Sequence, residues 1–324
     1  MKKKQIIGIL IAAAVFVAVG VTGVYAAVSA KAKVSALFDT AQTVEESLPA
    51  ADSIALVHID GTIGATSYDA FGTPSGSYVH ERILALIEDM KNSDANKGLL
   101  LVVNSPGGTV YHSDEVYLAL LDYKQATGRP VWAFATQQMA SGAYYIGCAS
   151  DSIFANRNAA VGSIGVYMQT VNFAGLFDKL GINGEYIRSS DNKAMGNMYD
   201  ELTDEQRAIL QSQVDECYDQ FLGIVCDARG YTRDALLPIA DGRSYTAKQA
   251  QANGLIDGVA FYDDVLADFK ELCGVDTVYE RTYTTSSLLS FLSKLDAALP
   301  KSETDAALEL VESTESGVLM YYAG

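Results

Sequence analysis

The chain has 324 residues, 49% of them hydrophobic, and a formal net charge of -17. That apolar content excludes general disorder and is enough for a sizeable core. The negative charge excludes nucleic acid as a partner, because phosphates are repelled rather than neutralised. His58, His80 and His112 are scattered without ligand spacing, so no metal and no cofactor is expected. Cys148, Cys217, Cys226 and Cys273 form no C-x-x-C pair and read as free thiols, with a Cys226–Cys273 bridge left open by the sequence.

Lys2, Lys3 and Lys4 precede a run from Ile6 to Val28 without a charged residue. About 20 such residues span the hydrocarbon core, so residues 1–28 read as a transmembrane anchor with a cytoplasmic basic flank. A cleaved signal sequence is the rival, with Val24-Tyr25-Ala26 as its cutting region. On either reading the rest of the chain is exported, which in a bacterium means the outer face of the cytoplasmic membrane. Residues 29–52 are small and polar, a stalk.

Ser53 to Gly61 reads as a strand running into a turn, and residues 64–77 as a loop. Ile83, Leu84, Ile87 and Met90 sit at helical spacing between Tyr78 and Asn92. Leu99–Val103 and Val131–Ala135 are short apolar runs that suit strands covered on both faces. Helices are expected at roughly 112–126 and from 141, and a strand near 152–155. A long helix over 203–228 is opened by Thr203, with Glu205 and Gln206 in its first turn. Shorter helices around a strand fill 232–270. Alternation of strands and helices implies an α/β architecture with mostly parallel pairing.

Two turns carry chemistry. Asn104-Ser105-Pro106-Gly107-Gly108 ends an apolar strand and precedes a helix. Its glycines let backbone N–H groups face open space and hold a developing oxyanion, or they simply make a tight turn. Ser141, in Ala140-Ser141-Gly142-Ala143-Tyr144, stands at the next such junction, either as a nucleophile or as a helix cap. A serine nucleophile needs a base. His112 is the only histidine near the expected cleft and lacks an evident Asp partner. A lysine is the alternative, provided burial lowers its pKa from about 10.4. Lys193 lies in a polar loop, and its own context reads as a surface lysine.

In this order the pieces resemble the signal peptide peptidase A family, from about Ser53 to Glu271. The resemblance is carried by Asn104–Gly108, Ser141-Gly142-Ala143-Tyr144-Tyr145-Ile146, Gly162-Ser163-Ile164-Gly165-Val166, Lys193 with Leu202-Thr203, and Asp241-Gly242-Arg243 with Tyr245. It implies a Clp-protease/crotonase-like fold, a spiral of repeated β-β-α units, as a peptidase domain over 53–276 followed by a tail over 277–324. It implies Ser141 as nucleophile, Lys193 as general base, Ser163 as the hydroxyl orienting that lysine, and Gly108 with Gly107 as the oxyanion hole. Ser190 and Ala194 depart from the family's usual Gly and Asp around the lysine.

The family's short forms build rings, here expected to be octameric, with serine and lysine from adjacent copies. They degrade cleaved signal peptides, with small and apolar residues around the cut. Three alternatives stay open. One is a Ser-Lys protease that clips other membrane proteins with a stomatin-like partner. The others are an acyl-CoA enzyme of crotonase type and a non-catalytic scaffold. The apolar end, Val318 to Gly324, resembles a cleavage region that fills the groove and is trimmed; the alternative is a free end or an oligomer contact.

Overall fold

The computed structural model describes residues 48–68, 74–283 and 318–322. The expected anchor, most of the stalk and the polar part of the tail lie outside the described residues. The chain divides into two units. One comprises 1–46, 68–75 and 282–300, of which Tyr68, Pro74, Ser75, Thr282 and Tyr283 are described. The other, 47–67, 76–281 and 301–324, holds everything that follows.

Its centre is an eight-stranded sheet. The strands are β1 (Ser53–Asp60), β2 (Asn96–Ser105), then beyond the short β3 (Gly107–Thr109) β4 (Val131–Ala140), β5 (Ser152–Ala155) and β6 (Ala160–Gly162). After β7 (Tyr167–Met168) come β8 (Ser244–Thr246), β9 (Gly258–Val259) and β10 (Thr277–Glu280). The path is β8-β6-β4-β2-β1-β10, with β5 on β4 and β9 on β5. All pairings are parallel except β8 on β6. The strand Thr277–Glu280, which the sequence reading gave to the tail, therefore closes one edge of the main sheet beside β1.

Alternation sorts the side chains. Ala55, Val57 and Ile59 face one core with Leu99, Leu101 and Val103. That core is covered by α1 (His80–Asn92) and α2 (Val110–Thr127). Ile54, Leu56, Leu100, Val102 and Phe134 face the other, against Val265 and Phe269 of α8 (Tyr262–Cys273). Cover on both faces is why these strands read as unbroken apolar runs.

β4 changes partner along its length. Trp132–Ala135 pair with β5, while Gln138–Ala140 pair with β6. Its register against β2 also shifts between Val103 and Ser105. The upper halves of β2, β4 and β6 thus form a separate corner of the sheet, and both candidate turns leave from it.

The remaining helices are α3 (Gly142–Gly147), α4 (Ala174–Leu180), α5 (Asp204–Arg229), α6 (Arg233–Leu236) and α7 (Ala247–Ala252). Helix α5 begins with a full capping box: Thr203 accepts from the Gln206 N–H, and Gln206 accepts from the Thr203 N–H. Its other end is tied by Arg229, whose guanidinium grips Asp257 at 2.9 and 3.0 Å and donates to Gly254 O. The four cysteines are free, and burial pushes the Cys148 thiol up to about 12.

A second, three-stranded sheet sits at the corner. The terminal strand β11 (Leu319–Tyr322) lies antiparallel between β3 and β7. The end of the chain is therefore built into the unit that carries the candidate turns.

Candidate active site

Ala140 and Gly162 are register partners at the ends of β4 and β6, so Ser141 and Ser163 leave adjacent parallel strands side by side. This is the carboxyl end of the strands, where open α/β sheets place their ligand crevices. Among the described residues, these two serines are the only non-glycine residues with positive φ: 53° at Ser141 and 51° at Ser163. With ψ at -120°, Ser141 sits in the region that turns normally fill with glycine. Such strain, about 1–3 kcal/mol per residue, persists only where the surroundings over-determine it.

Here they do. The Ser141 N–H donates to Gly162 O at 2.7 Å, and the Ser141 carbonyl accepts from the Tyr145 N–H at 2.9 Å. The Ser163 N–H donates to Arg243 O at 2.9 Å. The Ser163 hydroxyl donates to Gly242 O at 3.0 Å, which leaves its lone pairs to accept from another donor. Ser141 is 1% exposed, and its Oγ has no hydrogen-bond partner. A buried, unpartnered hydroxyl on a strained backbone costs stability without return in a resting fold.

The two glycines have separate reasons. Gly107 has φ 98°, and a Cβ there would stand 2.1 Å from Tyr321 O and 2.6 Å from Gly142 N. A Cβ on Gly108 would stand 1.8 Å from Ile63 O. Ile63 donates to Gly107 O and accepts from the Thr109 N–H, both at 2.8 Å. Backbone groups alternate sides along a strand, so the Gly108 N–H and C=O face β11, where Tyr321 is their register partner. Gly108 N lies 3.2 Å from where a Gly142 Cβ would be, one residue past Ser141. The Gly108 N–H, the Tyr321 carbonyl and the Ser141 junction thus converge.

Strand β11 occupies this corner as an extended peptide. Tyr321 is fully buried, its ring stacked on Tyr145 at 5.0 Å and 26° and tilted against Phe221 at 4.8 Å. Its hydroxyl donates to Cys217 O at 3.0 Å. Burial, with Cys217 and Asp114 nearby, pushes its phenol far above 10, so it stays a neutral donor. Tyr322 faces a cavity of about 400 Å³ lined also by Ser163, Tyr218, Asp241 and Gly242.

Lys193 does not hydrogen-bond the Ser141 hydroxyl. It is exposed on the single turn Asp191–Ala194, held to the start of α5 by Gln206 donating to Asp191 O at 3.1 Å. Among the described residues Ser141 Oγ has no hydrogen-bond partner, Lys193 included. From Gly165 to Glu205 no residue is buried. Leu180 is 62% exposed and Ile187 99%. His112, the other candidate base, bonds its own helix cap, Nδ1 to Thr109 Oγ1 at 2.6 Å, and meets His80 edge-on at 4.6 Å. Among the described residues no cluster of His, Cys, Asp and Glu could hold a metal, and no helix is long and apolar enough to cross a membrane.

The sequence reading named Tyr145 only as part of a motif. It missed the Tyr145–Asp114–Gln220 network, with Tyr145 donating to Asp114 at 2.6 Å and Gln220 to Tyr145 at 2.6 Å. It also missed Phe221, whose only signal is the stripe of Phe221, Leu222 and Val225 on α5.

The family model for peptidase family S49 matches residues 123–276. A putative signal peptide peptidase SppA of Enterococcus faecium is 30% identical over 294 residues, covering 88% of this chain and 85% of that protein. Putative protease MJ0651 of Methanocaldococcus jannaschii is 37% identical over 59% of this chain and 60% of its own. Protease 4 of Salmonella typhi is 30% identical over 68% of this chain and 34% of that protein. A match running through nearly the whole chain, on a mixed α/β fold with a parallel sheet, leads to one conclusion: the chain belongs to peptidase family S49 and is a serine protease related to SppA and Protease 4.

Proposed function

We propose that this protease is a membrane-anchored endopeptidase that degrades cleaved signal peptides with a Ser141–Lys193 dyad on a Clp-protease/crotonase-like spiral. The observation that carries the reading is the Ser141 hydroxyl, buried and unpartnered on a strained backbone, beside an extended strand whose carbonyl faces the Gly108 N–H. Lys193 takes the Ser141 proton, and the alkoxide attacks the scissile carbonyl. The oxyanion is held by the Gly108 N–H with help from the Gly107 turn, and Lys193 then protonates the leaving amine. Water repeats the cycle on the acyl-enzyme.

The lysine comes from a second copy of the chain, in a ring expected to be octameric. In support, Lys193 rides on a long segment without buried residues and with exposed apolar side chains, surface that calls for cover. The cavity beside Ser163 gives an entering amine a hydroxyl with free lone pairs. The terminal strand, which uses the backbone edges an extended substrate would use, is held as a substrate-like plug and trimmed by the enzyme. With an anchor over residues 1–28, the ring faces the membrane from outside, where signal peptides are left.

The test is peptidase activity of the detergent-solubilised full chain on a signal-peptide-like substrate, beside Ser141→Ala and Lys193→Ala. Loss of at least about 10³-fold in both variants is expected. An Lys193→Ala variant with full activity would sink the dyad and return attention to His112. An inert but assembled parent favours a scaffold.

A further inference from the structure

Building on the proposed roles of Ser141 and Gly108, we infer that Ser113 is a positioning residue for the same reaction: its hydroxyl sets the gap between the oxyanion strand β3 and the junction that carries Ser141.

Ser113 lies in the first turn of α2 and is fully buried. Its hydroxyl donates to Thr109 O at 2.8 Å, the last carbonyl of β3. That carbonyl does not need the bond. Thr109 is the N-cap of α2, and an N-cap carbonyl already accepts the first bond of its helix. A serine back-bond to the carbonyl four residues earlier does not strengthen a helix. By the rules of the helix alone, alanine would serve better.

The oxygen has a second neighbour that accounts for it. A Cβ on Gly142 would overlap Ser113 Oγ, so the hydroxyl fills the space a side chain at 142 would take. Gly142 follows Ser141 and is the first residue of α3. It is not among the glycines with positive φ, so space rather than backbone angle requires glycine there. The same point lies 3.2 Å from Gly108 N. One oxygen is thus bonded to the residue after Gly108 and packed on the residue after Ser141.

The Thr109 end of this link is fixed. Its N–H donates to Ile63 O at 2.8 Å, and its Oγ1 lies 2.6 Å from His112 Nδ1, in the same turn as Ser113. His112 therefore works as part of the clamp on β3. Without the Ser113 hydroxyl, α3 faces a small void in place of a stop. A shift of the Ser141 junction against the Gly108 N–H weakens the hold on an oxyanion, which depends on donor distance. Pairing of an extended substrate with the edge of β3 is left intact.

The test reads kcat apart from KM in the detergent-solubilised full chain. Ser113→Ala is expected to lower kcat at least about tenfold and to keep KM within about twofold. A peptide boronate, which forms a tetrahedral adduct on a serine hydroxyl, should bind more weakly by the factor lost in kcat/KM. Parent-like kcat and boronate affinity, beside an inactive Ser141→Ala, overturn the role of Ser113 and leave the protease reading intact. Turnover that survives Ser141→Ala overturns the Ser141 reading and this role with it.

Packing is measured separately. Gly142→Ala should lower the melting temperature of the parent by at least about 3 °C. In the Ser113→Ala background the loss should be less than half as large, because the new Cβ enters the vacated space. Equal losses overturn the spacing role. If Ser113→Ala does not fold, Ser113→Cys serves: its bulkier sulfur against Gly142 is expected to lower kcat at constant KM, and parent-like kcat overturns the role.

Discussion

Ser141 combines three costs: a backbone angle suited to glycine, full burial, and a hydroxyl without a partner. Removing the side chain should relieve the first and the third. Ser141→Gly is expected to abolish peptidase activity while raising stability by about 1 kcal/mol, read as a melting temperature about 2–4 °C higher. An unchanged or lower melting temperature would contradict the strain argument. Gly108 argues the opposite way. A Cβ placed 1.8 Å from Ile63 O cannot be absorbed by a side-chain rotation, so β3 must move. Gly108→Ala should destabilise by about 2–3 kcal/mol and cut kcat by at least about 100-fold, through displacement of its N–H. Denaturant midpoints and steady-state rates measure the two effects separately.

At the scale of elements, α5 is the frame of the site. Its middle supplies the Phe221 wall and the Cys217 carbonyl, its start holds the turn bearing Lys193, and its end is tied down by Arg229 on Asp257. Burial alone would raise the Asp257 carboxyl. The Arg229 hydrogen bonds and the Ile153 N–H at 2.7 Å outweigh that and hold it below its ordinary 3.8. A lowered folded pKa gives stability that is present above about pH 4 and lost as pH falls through the folded value. The side chain is 38% exposed, so screening limits the gain to roughly 1 kcal/mol. Asp257→Asn should therefore cost about that much in urea unfolding at pH 7, with the difference vanishing near pH 2.

The terminal strand is the other revealing element. Truncating a buried aromatic costs about 3–5 kcal/mol. Tyr321→Ala should thus release β11 from the corner, seen as faster proteolysis of the tail and several-fold higher activity on added peptide.

At the scale of the molecule, the described unit presents a buried serine hydroxyl without a hydrogen-bond partner and a candidate base on a segment without buried residues. If adjacent copies complete each other, Ser141→Ala and Lys193→Ala chains are complementary. Co-assembled in equal amounts, each site draws its serine and lysine independently, so roughly a quarter of the parent activity should return. No recovery after confirmed co-assembly would place both groups in one copy. The net charge of -17 also predicts that assembly strengthens with salt, as repulsion between copies is screened.

Sequence alone determined what local rules control. Apolar runs at 99–103 and 131–135 became strands buried on both faces, and Thr203 with Gln206 became a full capping box. The strand near 152–155 was legible from its run and its turns. Asn104–Gly108 and Ser141 were legible as turns because glycine and small residues mark places where backbone must approach backbone. Tertiary structure alone decided the partner switch along β4, which sets Ser141 beside Ser163, and the joining of Thr277–Glu280 to the sheet edge. It alone seated Tyr321 on Tyr145 and Phe221, residues separated by 176 and 100 positions in the chain. No periodicity encodes such a meeting. It arises because three distant segments bury one aromatic cluster together, and burial depends on the whole packed unit rather than on any local run of residues.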